Sequence, residues 1–353
     1  MKSKRNCKTN QNSALDLFCV TSEHGFMIFR RMGGTGIKCS IIGLGTGRLA
    51  SAANGISGAD AGRLLGVAED CGINLIDTAD SYAQGGSEKI IGAALQGKRS
   101  RFIITTKAGY CFSAVGGGLR LLKPLAKRVL KYFKGGKNLA NIVRSNVSRQ
   151  DFTPDAINRS IHGSLQRLRT DYLDFFLLHC PTLQAMSDAR LFELLRQLKQ
   201  AGKIRHFGIS SFEPAVVARA FDVAGVSLVQ VPLNPADIAI QAILPKFESG
   251  KIGVVANQIF LSGKLLGSDP VLNEEERKIH QVKTRLDSLA ATKGISLHRL
   301  LIEFALGRPG VVSVLTGTNN PAHLKQNVAD ALAPGVLSPA DLAQFANTEL
   351  LVK

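Results

Sequence analysis

Short apolar runs alternate with amphipathic stretches along most of the chain. The apolar runs lie at 37–44, 73–76, 102–105, 172–178, 206–209, 227–231, 252–256 and 311–315. They are rich in Ile, Val, Leu and Phe almost throughout, the pattern of parallel strands buried on both faces. Between them fall helical patterns at 59–71, 87–96, 154–169, 188–200, 214–224, 238–244 and 296–306. The clearest is 154–169. Thr153 can cap it, Pro154 suits its first turn, and Ile157, Ile161, Leu165 and Leu168 share one face. Eight strand-helix alternations predict an α/β fold, a closed (β/α)8 TIM barrel, with an open doubly wound sheet as the alternative. Residues 27–31 and 37–40, around Gly33-Gly34-Thr35-Gly36, predict an N-terminal β-hairpin before or across the barrel's base.

Two segments break the rhythm. Residues 111–150 separate the third strand from its helix by far more than the usual few residues. Residues 268–294 add a polar helical stretch at 273–292 before the helix that leads into the last strand, and a further helix follows at 321–332. The expected organisation is a basic, poorly ordered tail over 1–26 and one barrel over 27–353, with a basic insertion at 111–150.

Charge localises to those additions. The 353 residues carry 44 Lys+Arg against 27 Asp+Glu, a net +17. Residues 1–32 and 112–150 together carry +13 of it, and the second stretch has nine basic residues and no acid. The body of the fold is nearly balanced, so nucleic-acid binding by the whole protein loses its main support. Within the insertion, 119–134 reads as an amphipathic basic helix between glycine pairs. It is open to three readings: a solvated surface helix, a lid or docking surface for an anionic substrate or acidic partner, or peripheral contact with anionic lipid. No run approaches the roughly 20 apolar residues of a membrane span. The basic start, Lys2, Lys4, Arg5 and Lys8, is followed by Asp16 and no clear cleavage site, which predicts a tail, not a signal peptide. Six scattered cysteines without a CxxC pair fit reduced thiols and a cytoplasmic location.

A barrel keeps its chemistry at the C-terminal ends of its strands. There the second strand ends in Asp77, with Tyr82 just beyond, the third in Lys107 and the fourth in His179. A phenol is a poor acid at neutral pH, and a nearby ammonium lowers its pKa. Asp77 can hold Lys107, and His179 can hydrogen-bond a substrate oxygen. Such a set suits proton transfer to an oxygen that gains charge, the need of carbonyl reduction by hydride. Gly43-Leu44-Gly45-Thr46-Gly47 resembles a dinucleotide loop, but position 48 is Arg, and a tight turn at a strand end is the better reading. No His-x-His or His-x-x-x-His pair lies at a strand end, which counts against a metal-dependent barrel hydrolase; no metal is expected.

From about Met27 to Asn327 the chain resembles the aldo-keto reductase superfamily. The opening MIFRRMGGTGIKCSIIGLGTG, then NLIDTADSYAQGGSE, ITTKAG, YLDFFLLHCP, GKIRHFGISSF, LVQVPLNP and VLTGTNNPAHLKQN, follow in that family's order. The resemblance implies an oxidoreductase of the alcohol dehydrogenase type, interconverting an aldehyde, ketone or sugar with its alcohol. It implies a catalytic tetrad of Asp77, Tyr82, Lys107 and His179, with Tyr82 as general acid in reduction and its phenolate as base in oxidation. The implied cofactor is NADP, with NAD as the alternative, bound without metal. Ser210, Ser211 and Gln230 match positions around the nicotinamide carboxamide, and Ser211 stands where the family commonly has Asn. Asn257 replaces a Tyr that often covers the nicotinamide, a place Phe260 could take. Gly263 and Lys264 would lie by the pyrophosphate, and Gly317, Thr318, Asn319, His323 and Asn327 at the adenosine end. Gly317 and His323 stand where many members have Lys and Arg. A second function stays open: a cofactor-binding regulatory or accessory subunit with little turnover, since some members of the superfamily serve ion channels.

Overall fold

The computed structural model describes residues 17–22, 25–49, 56–112, 148–236, 239–249, 251–267 and 273–343. Strands β1 (Leu17–Ser22), β2 (Gly25–Arg31) and β3 (Lys38–Ser40) form an antiparallel sheet in that order. Eight parallel strands then close into a barrel: β4 (Ile42–Gly45), β5 (Leu75–Asp77), β6 (Ile103–Ala108), β9 (Leu173–His179), β10 (Ile204–Ser210), β11 (Val226–Pro232), β12 (Gly253–Asn257) and β13 (Val311–Thr316), with β13 pairing back on β4. A short antiparallel pair, β7 (Tyr110–Phe112) and β8 (Ser148–Gln150), stands at the roots of the insertion. Each predicted strand is found. The closed order decides between the barrel and the open sheet.

Alternation along these strands divides the core into two layers. Leu75, Ile103, Phe175, Leu177, Leu228, Val255, Val312 and Leu315 fill the barrel interior. Met32 and Cys39 from the hairpin join them and close the base. The hairpin's turn is pressed against the barrel: Gly34 N donates to Lys251 O at 3.0 Å. Gly33 has φ +58°, and a Cβ there would stand 2.7 Å from Gly253 N, so only glycine fits. Outward residues such as Ile76, Ile104, Phe176, Leu178 and Val254 meet the helices.

Those helices are α1 (Gly58–Asp70), α2 (Gly86–Ala94), α3 (Pro154–Leu168), α4 (Leu183–Met186), α5 (Ala189–Gln200), α6 (Pro214–Arg219), α7 (Glu274–Thr292), α8 (Leu297–Leu306), α9 (Pro321–Leu332) and α10 (Pro339–Ala343). α3 is built as its sequence predicts. Thr153 caps Ala156 N, Pro154 opens the first turn, Arg169 ends it with φ 53°, and Ile157, Ile161, Leu165 and Leu168 are buried.

Three expectations change. The tail expected to be poorly ordered to residue 26 contains β1, whose Leu-Phe-Cys-Val-Thr run pairs with β2 through Leu17 opposite Arg30. The helix expected at 238–244 is instead a 3-10 segment, Gln241–Phe247, with Pro245 inside it, since Pro removes the amide an α-helix needs. The helix expected to 224 ends at Arg219 and tightens into a 3-10 turn over Ala220–Asp222. The basic helix at 119–134 and the four basic residues at the N-terminus lie outside the described residues. Cys39, Cys71 and Cys180 are free thiols. Among the described residues no helix is long and apolar enough to cross a membrane.

Candidate active site and cofactor cleft

The site grows out of the barrel's own alternation. Asp77 stands two residues past inward Leu75, Lys107 four past Ile103, His179 two past Leu177, Gln230 two past Leu228 and Asn257 two past Val255. The period of two aims all five at the top of the barrel axis. Lys107 Nζ donates to Asp77 Oδ2 at 2.7 Å, to Thr78 O at 2.8 Å and to Tyr82 Oη at 3.3 Å. Gln230 Nε2 donates to Asp77 Oδ1 at 2.7 Å, and Gln230 Oε1 accepts from Ser210 Oγ at 2.9 Å and Asn257 Nδ2 at 3.3 Å. Every oxygen of Asp77 and Gln230 is therefore engaged, and the ammonium has one fixed position.

Tyr82 reaches this group from a tight loop. Ala83 and Gln84 take φ 50° and 54° and Gly85 φ 80°, a run of left-handed backbone that costs about 1–3 kcal/mol per non-glycine residue and turns the chain back into α2. Ser87 Oγ, 2.9 Å from Thr46 Oγ1, and Thr46 Oγ1, 2.8 Å from Asp77 O, tie this loop to the turn after β4. Gly47 lies under the Tyr82 ring, where a Cβ would be 3.6 Å from its carbons. The glycine run after β4 is thus a packing turn, as read from its spacing. The His179 ring meets Tyr82 edge-on at 6.2 Å and Tyr110 edge-on at 4.9 Å, and its Nδ1 lies 3.4 Å from Ser81 Oγ.

Burial sets the protonation states. It pulls the Lys107 ammonium down, but Asp77 and Tyr82 outweigh it and hold Lys107 above its ordinary value. Burial also pushes the Asp77 carboxyl up against Lys107 and Gln230. With 2.7 Å hydrogen bonds from both, Asp77 remains the acceptor of the pair. For Tyr82 the expectation is reversed: Lys107 does lower its pKa, but burial is larger, and the phenol ends above its ordinary value. His179 is pushed down to about 3, by burial and then by Lys107, and so is a neutral imidazole.

From Gln258, just past Asn257, and the end of β13 a cleft of about 780 Å³ runs outward between the loops after β4, β12 and β13. Gly263, Gly317, Thr318, Asn319, His323 and Asn327 line it. Gly317 and Gly45 face one another across β13 and β4, where a Cβ on Gly317 would stand 3.7 Å from Gly45 O. Asn320 caps α9 through Ala322 N at 2.9 Å, so that helix opens toward the cleft. Two expected residues are not brought in. Ser211 Oγ accepts from Glu213 N at 3.1 Å and caps the turn before α6. Lys264 points to Glu275, at 3.8 Å, on the exposed surface. Phe260 does not stand free to cover a ring; it stacks on His298 at 4.6 Å, and His298 Nδ1 is 2.7 Å from Asp330 Oδ2.

A nicotinamide dinucleotide fits these residues. Asn257 Oδ1 is buried without a hydrogen-bond partner beside Gln230, so it is an acceptor in need of a donor such as a carboxamide NH2. The outer cleft adds Arg48, which sequence reasoning missed. Its Nη2 donates to Ser262 O at 3.3 Å, and Asn319 Nδ2 donates to Arg48 O at 3.2 Å, so it links all three loops. Its signal was its place directly after the glycine run. Ser262, His298 and Gln326 also line the cleft; Gln326 lies within the VLTGTNNPAHLKQN motif but was not singled out, and His298 comes from a helix that carries no motif.

Comparison with known proteins agrees with this geometry. The model of the "Aldo/keto reductase family" matches residues 41–348. D-threo-aldose 1-dehydrogenase of a Pseudomonas species is 30% identical over 83% of this chain and 89% of its own. The holo form of aldo-keto reductase AKR11C1 from Bacillus halodurans superimposes with a TM-score of 0.71, at 25% identity, over 92% of this chain and 98% of its own. An aldo-keto reductase from Klebsiella pneumoniae, solved in complex with NADPH, gives a TM-score of 0.61 at 25% identity over 89% and 92% of the two chains. The chain belongs to the aldo/keto reductase family and is an oxidoreductase.

Proposed function

We propose that Tyr82 is the acid and base of a carbonyl–alcohol interconversion, with Lys107, Asp77 and His179 completing the site. The observation that carries this is the hydrogen-bonded line Asp77–Lys107–Tyr82, with the His179 ring beside it. A nicotinamide cofactor supplies the hydride in reduction and takes it in oxidation. In reduction the neutral Tyr82 phenol donates its proton to the substrate oxygen. Lys107, kept cationic by Asp77, stabilises the phenolate that remains; in oxidation that phenolate takes the proton back. Neutral His179 orients the substrate oxygen without adding charge.

Ser210, Gln230 and Asn257 hold the nicotinamide end, and Gly263, Gly317, Thr318, Asn319, His323 and Asn327 the phosphates and adenosine. NADP is the cofactor this cleft favours, since Arg48 supplies a cation and His323 a hydrogen-bonding ring near its outer end; NAD is the alternative, because Gly317 offers no side chain there. The substrate is a small carbonyl or alcohol of the sugar kind, in keeping with the aldose dehydrogenase relative. An anionic substrate is the finer variant, supported by the charge of the 111–150 insertion. The basic stretch before β1 and that insertion are additions to one barrel domain, and the cytoplasm suits the free thiols of Cys39, Cys71 and Cys180.

Mixing the protein with NADPH or NADH, following nicotinamide fluorescence and then adding a panel of carbonyls tests this. Bound cofactor with falling absorbance is the expected result. Binding without turnover would instead favour an accessory, cofactor-sensing role, a second reading supported by Asn257 in place of the usual Tyr.

A further inference from the structure

Outside the cofactor cleft the described residues enclose a second cavity, of about 320 Å³. Asp80 and Gln84 from the loop before α2, Tyr110 at the start of β7, and Arg159, Ser160 and Arg167 from α3 form its walls. None of these is used by the chemistry above.

Asp80 sets the character of the cavity. Its Oδ1 is buried with no hydrogen-bond partner. Neighbouring Glu88 is fully buried and already satisfied, by Thr106 Oγ1 at 2.6 Å and Arg167 Nε at 2.6 Å. Arg167 is thereby committed to Glu88 and to Ser164, at 3.2 Å. Burial, and then Glu88, push the Asp80 carboxyl up to about 7. An unmatched buried oxygen of this kind is destabilising, and a donor from a ligand relieves it.

The remaining walls narrow the ligand class. An anion would face the Asp80 carboxyl, and a cation would face the Arg159 and Arg167 guanidiniums. A hydroxyl donates to Asp80 Oδ1 and accepts from a guanidinium, so vicinal hydroxyls match both. Tyr110 adds an aromatic wall, and the same ring meets His179 edge-on at 4.9 Å. The cavity therefore begins one ring away from the carbonyl site.

We propose that this cavity is a hydroxyl subsite, holding the polyhydroxylated end of an aldose or polyol whose reacting carbon lies at Tyr82 and His179. The proposal rests on the carbonyl–alcohol reading of the centre. It fixes substrate choice in Asp80 and Arg159, whose side chains leave the proton-transfer group untouched.

The test is the ratio of kcat/KM for D-xylose to that for pentanal, which share an aldehyde and differ in hydroxyls. In Arg159→Ala and in Asp80→Leu the ratio should fall about tenfold, the loss of one or two hydrogen bonds. Arg159 is exposed, so its variant keeps the test decisive if Asp80→Leu does not fold. A ratio within twofold of wild type in Arg159→Ala overturns the subsite. Saturation-transfer NMR with xylitol reads the site without turnover: transfer to xylitol in wild type should be lost in Arg159→Ala. Arg159-dependent transfer without turnover of either aldehyde would keep the subsite and sink the carbonyl–alcohol reading. Turnover with an unchanged ratio and transfer indifferent to Arg159 would do the reverse.

Discussion

At the top of the barrel axis, inward of the cleft, Asp77, Lys107 and Gln230 are 4%, 1% and 1% exposed and bound to one another in a closed set of hydrogen bonds. At the outer end, Arg48, Ser262, Gly317 and His323 are all exposed, and the loops that carry them are joined by single bonds of 3.2–3.3 Å. The first region is over-determined by strands, the second held by loops. Proton transfer needs fixed geometry, whereas a cofactor must enter and leave. On the proposed reading the barrel is most rigid at the reacting end, and discrimination at the adenosine end would rest on long-range charge that salt can screen.

The largest expected break is at Lys107. Lys107→Met leaves Asp77 buried without its cation, a change of about 3–5 kcal/mol in stability, and removes the charge that supports the phenolate. Turnover should fall by about 10²–10⁴. Denaturant titration together with single-turnover kinetics checks this, and a stable, active variant would mean that the buried set is not rigid in the way described. Gln230→Leu comes next. It frees Asp77 Oδ1 and removes the anchor shared by Ser210 and Asn257, so cofactor affinity should weaken by about tenfold to a hundredfold. Cofactor fluorescence titration measures it.

At the outer end the effect should be smaller and of another kind. Arg48→Ala should weaken NADPH by about threefold to tenfold at low salt, as expected for one exposed charge, and NADH by less. At high salt the difference from wild type should shrink. An equal loss for both cofactors at every ionic strength would remove Arg48 from any role in the choice between them.

The smallest net effect in the wild-type protein is in pH, where two opposed shifts offset each other. Neutral His179, about 3 against an ordinary 6.5, contributes stability that is full above about 6.5 and lost as pH falls, by about 1.4 kcal/mol per unit. Asp80, about 7 against an ordinary 3.8, works oppositely: its share is full below about 3.8 and lost as pH rises. Between about 4 and 6.5 the two slopes oppose each other. Asp80→Asn removes one, so unfolding midpoints of that variant should drop more steeply than wild type as pH falls from 6.5 to 4. Parallel curves would contradict the Asp80 assignment.

What could be read from the sequence follows the same division. The strands were legible because burial on both faces leaves uninterrupted apolar runs, and the reacting residues because they sit at the ends of those runs. Loop-borne positions were not. Arg48 followed a glycine run that was rightly discounted as a dinucleotide motif. Lys264 and Ser211 matched in position, but their side chains turn to Glu275 and to the α6 cap. His298 lies on a helix whose pattern carries no sign that its ring stacks on Phe260. The Tyr82 pKa was misjudged for a related reason, since the cation was visible in the sequence and the depth of burial was not.

The central claim is that Tyr82 moves the proton while the surrounding set only positions it. Pre-steady-state hydride transfer in Tyr82→Phe, with cofactor affinity measured on the same sample, tests it most directly. Hydride transfer should fall by at least about a hundredfold, with the cofactor dissociation constant within about twofold of wild type. Transfer at the wild-type rate in that variant would contradict the account.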